Sequence, residues 1–188
     1  MNFNHCFKNI FEDSGSEFSK EIWNEFTRDL YSNATFNYYS PDAEDEQDEM
    51  PEWIKAIEIP VIIESGKMSE NVYFLIQGKV HIMNKEGMYE YGIINEGGYF
   101  GDISALLDEP SEYGYYYNPH NERPILMLQI PVTKFLEICN KHPLCKEVLV
   151  DRATKRRQMF ENYKTVILLR YMKTIRNHQH LVNASAKE

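Results

Sequence analysis

The segment Ile94-Asn95-Glu96-Gly97-Gly98-Tyr99-Phe100-Gly101-Asp102-Ile103-Ser104-Ala105-Leu106-Leu107 decides how this chain is read. Its glycines let the backbone turn at positive φ and let a ligand come close to the main chain. The apolar run after Asp102 predicts a short helix whose leading N–H groups are free to face an anion. Together these are the parts of a backbone cradle for a small anion. The following Pro110-Ser111-Glu112 brings no cation to it.

On both sides of the cradle lie short β-branched or aromatic runs, at residues 57–59, 61–63, 72–76, 79–83, 89–94, 113–117 and 125–130. Turn residues such as Ser65-Gly66, Gln77-Gly78, Glu86-Gly87 and Asn118-Pro119-His120-Asn121 separate them. Many short strands with frequent turns predict a roll or sandwich. Helical spacing frames this region. Phe18, Ile22, Trp23, Phe26, Leu30 and Tyr31 recur on one helical face over residues 16–32, with Ser14 or Ser16 as its cap. Residues 33–50 are polar and acidic and read as a loop or linker, and Pro51 is placed to start a short helical turn. A helix begins at Thr133, His142-Pro143 breaks it, and a long helix runs from Leu144 to about Arg176. The organisation expected is an N-terminal helix and acidic linker over 1–50, a β-roll over 51–140, and a C-terminal helix with a basic tail over 141–188.

Length and composition narrow the class further. With 188 residues and 43% hydrophobic content, one domain with extensions is expected. No apolar run is long enough to span a bilayer, and no leader pattern is present at the N-terminus, so the reading is intracellular, soluble or on the cytosolic face of a membrane assembly. Cys6, Cys139 and Cys145 have no paired or metal-like spacing and read as reduced thiols. The net charge of −9 hides an asymmetry: residues 42–58 hold eight acids against Lys55, and residues 152–176 hold eight bases against Glu161. A solvated loop and helix face are the plain reading, and docking within an assembly or a homo-oligomer is the functional one. An acidic chain without a reading motif is not expected to bind nucleic acid. Six histidines without ligand spacing, and no nucleophile-elbow or Walker motif, argue against a metal site and against an enzyme.

The cradle resembles the phosphate-binding cassette of cyclic-nucleotide-binding domains, where Phe-Gly-Glu leads into a short helix, a loop and Pro-Arg-Ser/Thr-Ala. Phe100-Gly101-Asp102 is similar to the triplet, with Leu106-Leu107 and Pro110 at the same spacing. Upstream, Gly66 to Val80 resembles the family's Gly-Asp-x-Gly-Asp-x-Met-Tyr-Phe-Ile-x-x-Gly-x-Val segment through Tyr73, Phe74 and Gly78, with departures at Lys67 and Ser69. Downstream, residues 125–137 are similar to its last strand and helix start. The likeness covers roughly residues 54–165. It implies an α+β fold: an antiparallel, jelly-roll-like β-roll flanked by an N-terminal helix and C-terminal lid helices. The first strand of that roll has no clear counterpart between Asn33 and Pro60. The run Ala153-Thr154-Lys155-Arg156-Arg157-Gln158-Met159-Phe160 also resembles the lid segment of cyclic-nucleotide-regulated cation channels.

The resemblance implies a ligand site at Phe100, Gly101, Asp102, Ile103, Ser104, Ser111, Glu112 and Tyr113. In the family the acid of the triplet accepts a hydrogen bond from the ribose 2′-hydroxyl; Asp102 does this or caps the helix that starts at Ile103. Ser111 stands where the family's phosphate-pairing arginine falls, and Glu112 adds a like charge beside the phosphate. Arg123 and Arg152 are the cations that a replacement would draw on. At least one ring of Tyr113, Tyr115, Tyr116 and Tyr117 is expected in the space of a purine. The function implied is a regulatory module, in a cation channel, that binds cyclic AMP or cyclic GMP weakly or not at all and needs no cofactor. The alternative is a structural or interaction subunit that keeps the roll as a scaffold, and this reading leads if 188 residues are the natural length.

Overall fold

The structure, a computed structural model, describes residues 20–39, 61–84, 90–117 and 124–185, and divides into the units Met1–Ala153 and Thr154–Glu188. The elements in chain order are α1 (Lys20–Ser32), β1 (Thr35–Tyr39), β2 (Val61–Ile63), β3 (Asn71–Gln77), β4 (Val80–Met83), β5 (Glu90–Ile94), β6 (Tyr99–Phe100), α2 (Asp102–Leu107), β7 (Gly114–Tyr117), β8 (Ile125–Pro131), α3 (Val132–Lys141) and α4 (Pro143–Ser185). The acidic segment 42–58, the helical turn at Pro51, the strand at 57–59, the caps at Ser14 and Ser16, and Arg123 lie outside the described residues.

The strands form two four-stranded sheets, in the orders β1-β8-β3-β6 and β2-β7-β4-β5. All pairings are antiparallel. The fold is the expected α+β roll with helices at both ends. Side chains alternate across a strand, so β3 serves two interiors. Val72 and Phe74 join Leu128 and Ile130 of β8 in a helix-facing core with Trp23, Phe26, Leu30, Phe135, Ile138 and Leu149. Tyr73 points the other way, against Phe100.

Helix α1 docks through Trp23, Phe26 and Leu30, at 4%, 1% and 1% exposure, which the i, i+3, i+7 spacing places on one face. Two contacts fix its far side. His142 Nε2 lies 3.0 Å from Asp29 Oδ2, and the rings of Phe26 and His142 meet edge-on at 5.6 Å. Pro143 opens α4, where its missing N–H costs nothing and its fixed φ suits a helix start.

The sequence reading placed a loop where β1 stands. Thr35–Tyr39 instead pairs along β8 from Thr35↔Gln129 to Tyr39↔Ile125. Asn37 Nδ2 donates to Gln129 Oε1 at 2.9 Å, and the Tyr39 ring stacks on Tyr117 at 6.0 Å. Phe36 and Tyr38 alternate with these and are each 61% exposed. The acidic run from Asp42 onward dominated the composition of that stretch and concealed five residues of strand.

Phe26→Ala is expected to cost about 3–5 kcal/mol in urea unfolding of the full chain, as a fully buried ring is replaced by a cavity. Asp29 is held below the usual carboxylate value, first by its hydrogen bond with His142, with burial opposing and the charges of His142, Lys141 and Arg28 assisting. A depressed carboxylate stabilises the fold above its unfolded value, 3.8 here, and that contribution is lost as pH falls through the lower folded value. Asp29→Asn is therefore expected to be about 0.2–1 kcal/mol less stable than the unmodified chain at pH 7, with the gap closing on acidification below 3.8. Parallel pH profiles would show the idea to be wrong.

Candidate functional site

The cassette is built on a residue that has to be glycine. Gly101 caps α2 at φ 82° and ψ −14°, a left-handed conformation that side chains rarely adopt. A Cβ there would lie 2.5 Å from the Asn71 carbonyl oxygen and 3.0 Å from Ser69 Oγ. Gly101 thus holds the N-cap position and Asp102 is the first residue of α2. This corrects the reading of Asp102 as N-cap with the helix beginning at Ile103. Asp108 closes the helix in the left-handed region, at φ 55°.

The loop between β2 and β3 straps the cassette in place. Ser69 N–H donates to Ser104 Oγ at 3.0 Å, and Ser69 Oγ donates to the Asn71 carbonyl at 2.6 Å. Ser111 N–H donates to the Lys67 carbonyl at 2.8 Å, and Gly66 N–H donates to the Ser111 carbonyl at 2.6 Å. Ser65 Oγ donates to the Glu112 carbonyl at 2.7 Å. Ser65, Gly66, Lys67 and Ser69 are not among the site residues expected from the sequence; the departure from the family pattern at Lys67 and Ser69 is the available signal.

Phe100, Gly101, Asp102, Ile103 and Ser104 are brought together on β6 and α2, and Ser111, Glu112 and Tyr113 lie on the loop leading into β7. Their exposures differ sharply. Phe100, Asp102 and Ser104 are 1%, 1% and 2% exposed, Ile103 and Ser111 are half-buried, and Glu112 is exposed. Ser111 Oγ donates to the Tyr113 carbonyl at 2.7 Å, so its hydroxyl is engaged within its own loop. Asp102 is close enough to Cys139 of α3 for its charge to raise that thiol. Burial is the main cause and pushes Cys139 up to about 12. Burial likewise lifts Cys145 to about 11, so both thiols stay protonated and unreactive at neutral pH.

Between the two sheets the rings of Tyr73, Phe100 and Tyr115 form one stack. Tyr73 and Phe100 are 5.0 Å apart at an interplanar angle of 13°, and Phe100 and Tyr115 are 4.9 Å apart at 13°. Tyr113, 5% exposed, meets Tyr91 edge-on at 4.9 Å. Tyr113, Tyr115 and Tyr117 are buried while Tyr116 is half-buried, as alternation along β7 requires. Burial also raises the Tyr73 phenol above its ordinary value, against a hydrogen bond from Asn71. Among the described residues no cluster of three or more His, Cys, Asp or Glu is arranged to hold a metal, and no helix is long and apolar enough to cross a membrane.

Two antiparallel sheets, with a glycine-initiated short helix and helices at both ends, make up an α+β roll. Residues 60–142 match the family model described as cyclic nucleotide-binding domain. Among solved structures the chain is similar to cAMP-bound PfPKA-R (141-441), at 12% identity and a TM-score of 0.57, over 87% of this chain and 44% of that one. It is also similar to the regulatory subunit of a cAMP-independent protein kinase A from Trypanosoma brucei, at 14% identity and a TM-score of 0.52, over 76% of this chain and 42% of that one. These likenesses concern the fold, and the chain spans less than half of either structure. No curated protein matches the sequence.

Gly101→Ala is expected to lower stability by about 1–3 kcal/mol in thermal unfolding, because it forces a side chain into a left-handed, occupied position. Gly92→Ala, where a Cβ meets nothing within 4 Å, is expected to stay within about 0.5 kcal/mol of the unmodified chain or gain slightly. Equal effects at the two positions would contradict this account of the cassette.

Proposed function

We propose that this chain is a regulatory module of the cyclic-nucleotide-binding type whose roll binds cyclic AMP or cyclic GMP weakly or not at all. The observation that carries the reading is the Tyr73–Phe100–Tyr115 stack, which packs the protein's own rings against one another between the sheets. A purine entering there has to displace contacts that the fold already makes.

The cassette loop points the same way. The family places an arginine after Pro110, and Ser111 there offers a neutral hydroxyl already donated to Tyr113. Replacing a charge-assisted hydrogen bond by a neutral one forfeits about 1.5–3 kcal/mol, or about ten- to a hundredfold in affinity. Glu112 adds repulsion, and Tyr113 stands where the family has alanine. Asp102, at 1% exposure, is enclosed beneath the cassette, so a ribose hydroxyl reaches it only if the cassette opens. Of the two similar structures, one holds cAMP and the other belongs to a kinase described as cAMP-independent.

The setting in this reading is a larger regulatory assembly, because one of the similar structures is the regulatory subunit of a kinase. The likeness of residues 153–160 to the lid of cation channels adds a channel as one such setting. Free, buried Cys139 and Cys145 fit a reducing, intracellular compartment. Within the assembly the roll acts as a scaffold and the helices carry the interactions.

Isothermal titration of the chain with cyclic AMP and cyclic GMP tests this directly. The expected dissociation constant is about 0.1 mM or weaker, and saturable micromolar binding would refute the reading. Ser111→Arg, Glu112→Ser and Tyr113→Ala in one chain restore the cation and clear the ring, and are expected to tighten binding at least about tenfold. No gain would count against the position assigned to the pocket.

A further inference from the structure

The strap over the cassette carries a sulfur. Ser104 Oγ donates to Met68 Sδ at 3.9 Å, a long bond to a large and weak acceptor. The same Ser104 Oγ accepts from the Ser69 N–H at 3.0 Å. One chain of hydrogen bonds therefore runs from the Ser69 backbone through the Ser104 hydroxyl to the Met68 thioether, and it joins the strap to the first turn of α2. The inner members are enclosed, with Ser104 2% and Ser69 7% exposed. The outer end is not, since Met68 is 47% exposed. Of the other methionines whose exposure is described, Met127 is fully buried, Met83 is half-buried, and Met159 is as exposed as Met68. An exposed thioether is open to oxidants, and its sulfoxide is polar and can be reduced again.

We infer that Met68 is a site of modification by peroxide, whose sulfoxide tightens the strap on the cassette. In the reaction the O–O bond of the peroxide breaks, one oxygen bonds to Sδ, and the other leaves as water. The sulfur loses two electrons and the peroxide gains them. The Ser104 hydroxyl then donates to a sulfoxide oxygen in place of a weakly accepting thioether. Bonds in a chain polarise one another, so the stronger acceptor at Met68 makes Ser104 Oγ a better acceptor for the Ser69 N–H. Ser69 carries the effect onward. Its Oγ donates to the Asn71 carbonyl at 2.6 Å, the same oxygen that a Cβ at Gly101 would meet. The turn that opens α2 is thereby coupled to the oxidation state of one exposed side chain, whether or not the roll takes a nucleotide.

The test treats the full chain with dilute hydrogen peroxide, followed by peptide mass mapping and residue-resolved amide exchange. Met68 is expected to oxidise at least about tenfold faster than buried Met127. Once it has done so, the Ser69 amide is expected to exchange about two- to tenfold more slowly, the range that one hydrogen bond commands, and reduction of the sulfoxide restores the original rate. In Met68→Leu the same treatment oxidises Met159 and is expected to leave the Ser69 amide unchanged. Met68→Gln supplies a strong acceptor oxygen without any oxidant and is expected to slow Ser69 exchange in the untreated chain; it carries the test if Met68→Leu loses helix by circular dichroism. Oxidation of Met68 no faster than that of Met127 overturns the proposal. So does Ser69 exchange that is unchanged or faster in the sulfoxide, or slowing that persists in peroxide-treated Met68→Leu. The nucleotide titration does not read this contact, so the two readings fail separately.

Discussion

Strand β3 separates two interiors, and the period-two alternation of its side chains assigns residues to each. Val72 and Phe74 join the helix-facing core, while Tyr73 faces Phe100 between the sheets. A register slip of one residue would exchange the two sets. The pairing of β3 with β8, Val72↔Ile130 through Phe74↔Leu128, prevents this because Leu128 and Ile130 are themselves committed to the helical side. Everything that bears on the cassette depends on that division. Phe100 precedes Gly101, so fixing its ring against Tyr73 fixes where the turn into α2 begins.

In the proposed reading the same rings that hold the cassette also close it. Aromatic pairs contribute about 0.5–1.5 kcal/mol beyond the area they bury, and two such pairs share Phe100. A ligand would need to offset that loss without the charge-assisted contact that an arginine would supply. The two effects are of similar size and act in the same direction. In the proposed reading they also differ in kind: the missing cation would lower affinity for a phosphate, whereas the stack would exclude a base. Restoring either one alone leaves the other opposing the ligand.

The roll could be read from the sequence because its strands are short, aromatic or β-branched, and punctuated by glycine. The runs at 72–76 and 125–130 correspond to β3 (Asn71–Gln77) and β8 (Ile125–Pro131) within one residue at each end. The helix boundary at His142-Pro143 was readable for a local reason, the proline ring. Strand β1 was not, since its support comes from Gln129 and Tyr117, some ninety and eighty positions away. At the site, the glycine turn and the absence of a cation were local properties of residues 100–112. The straps from Ser65, Gly66, Lys67 and Ser69 are not local, because serines and backbone groups carry no sequence signal for the partner they will meet across the fold. Asp102 shows the limit of residue type as a guide. Aspartate is a favoured N-cap, but Gly101 takes the capping position because only glycine tolerates its backbone geometry and the nearby Asn71 carbonyl.

Helix α4 shows a change of role along a single element. Cys145 and Leu149 are 0% and 2% exposed in the helix-facing core, whereas Met159, Tyr163 and Val166 are each about half exposed. Helices in water draw most of their stability from burying an apolar face. Met159, Tyr163 and Val166 keep helical spacing without that burial. Solubility alone would favour polar residues at those positions, since exposed apolar seams invite association.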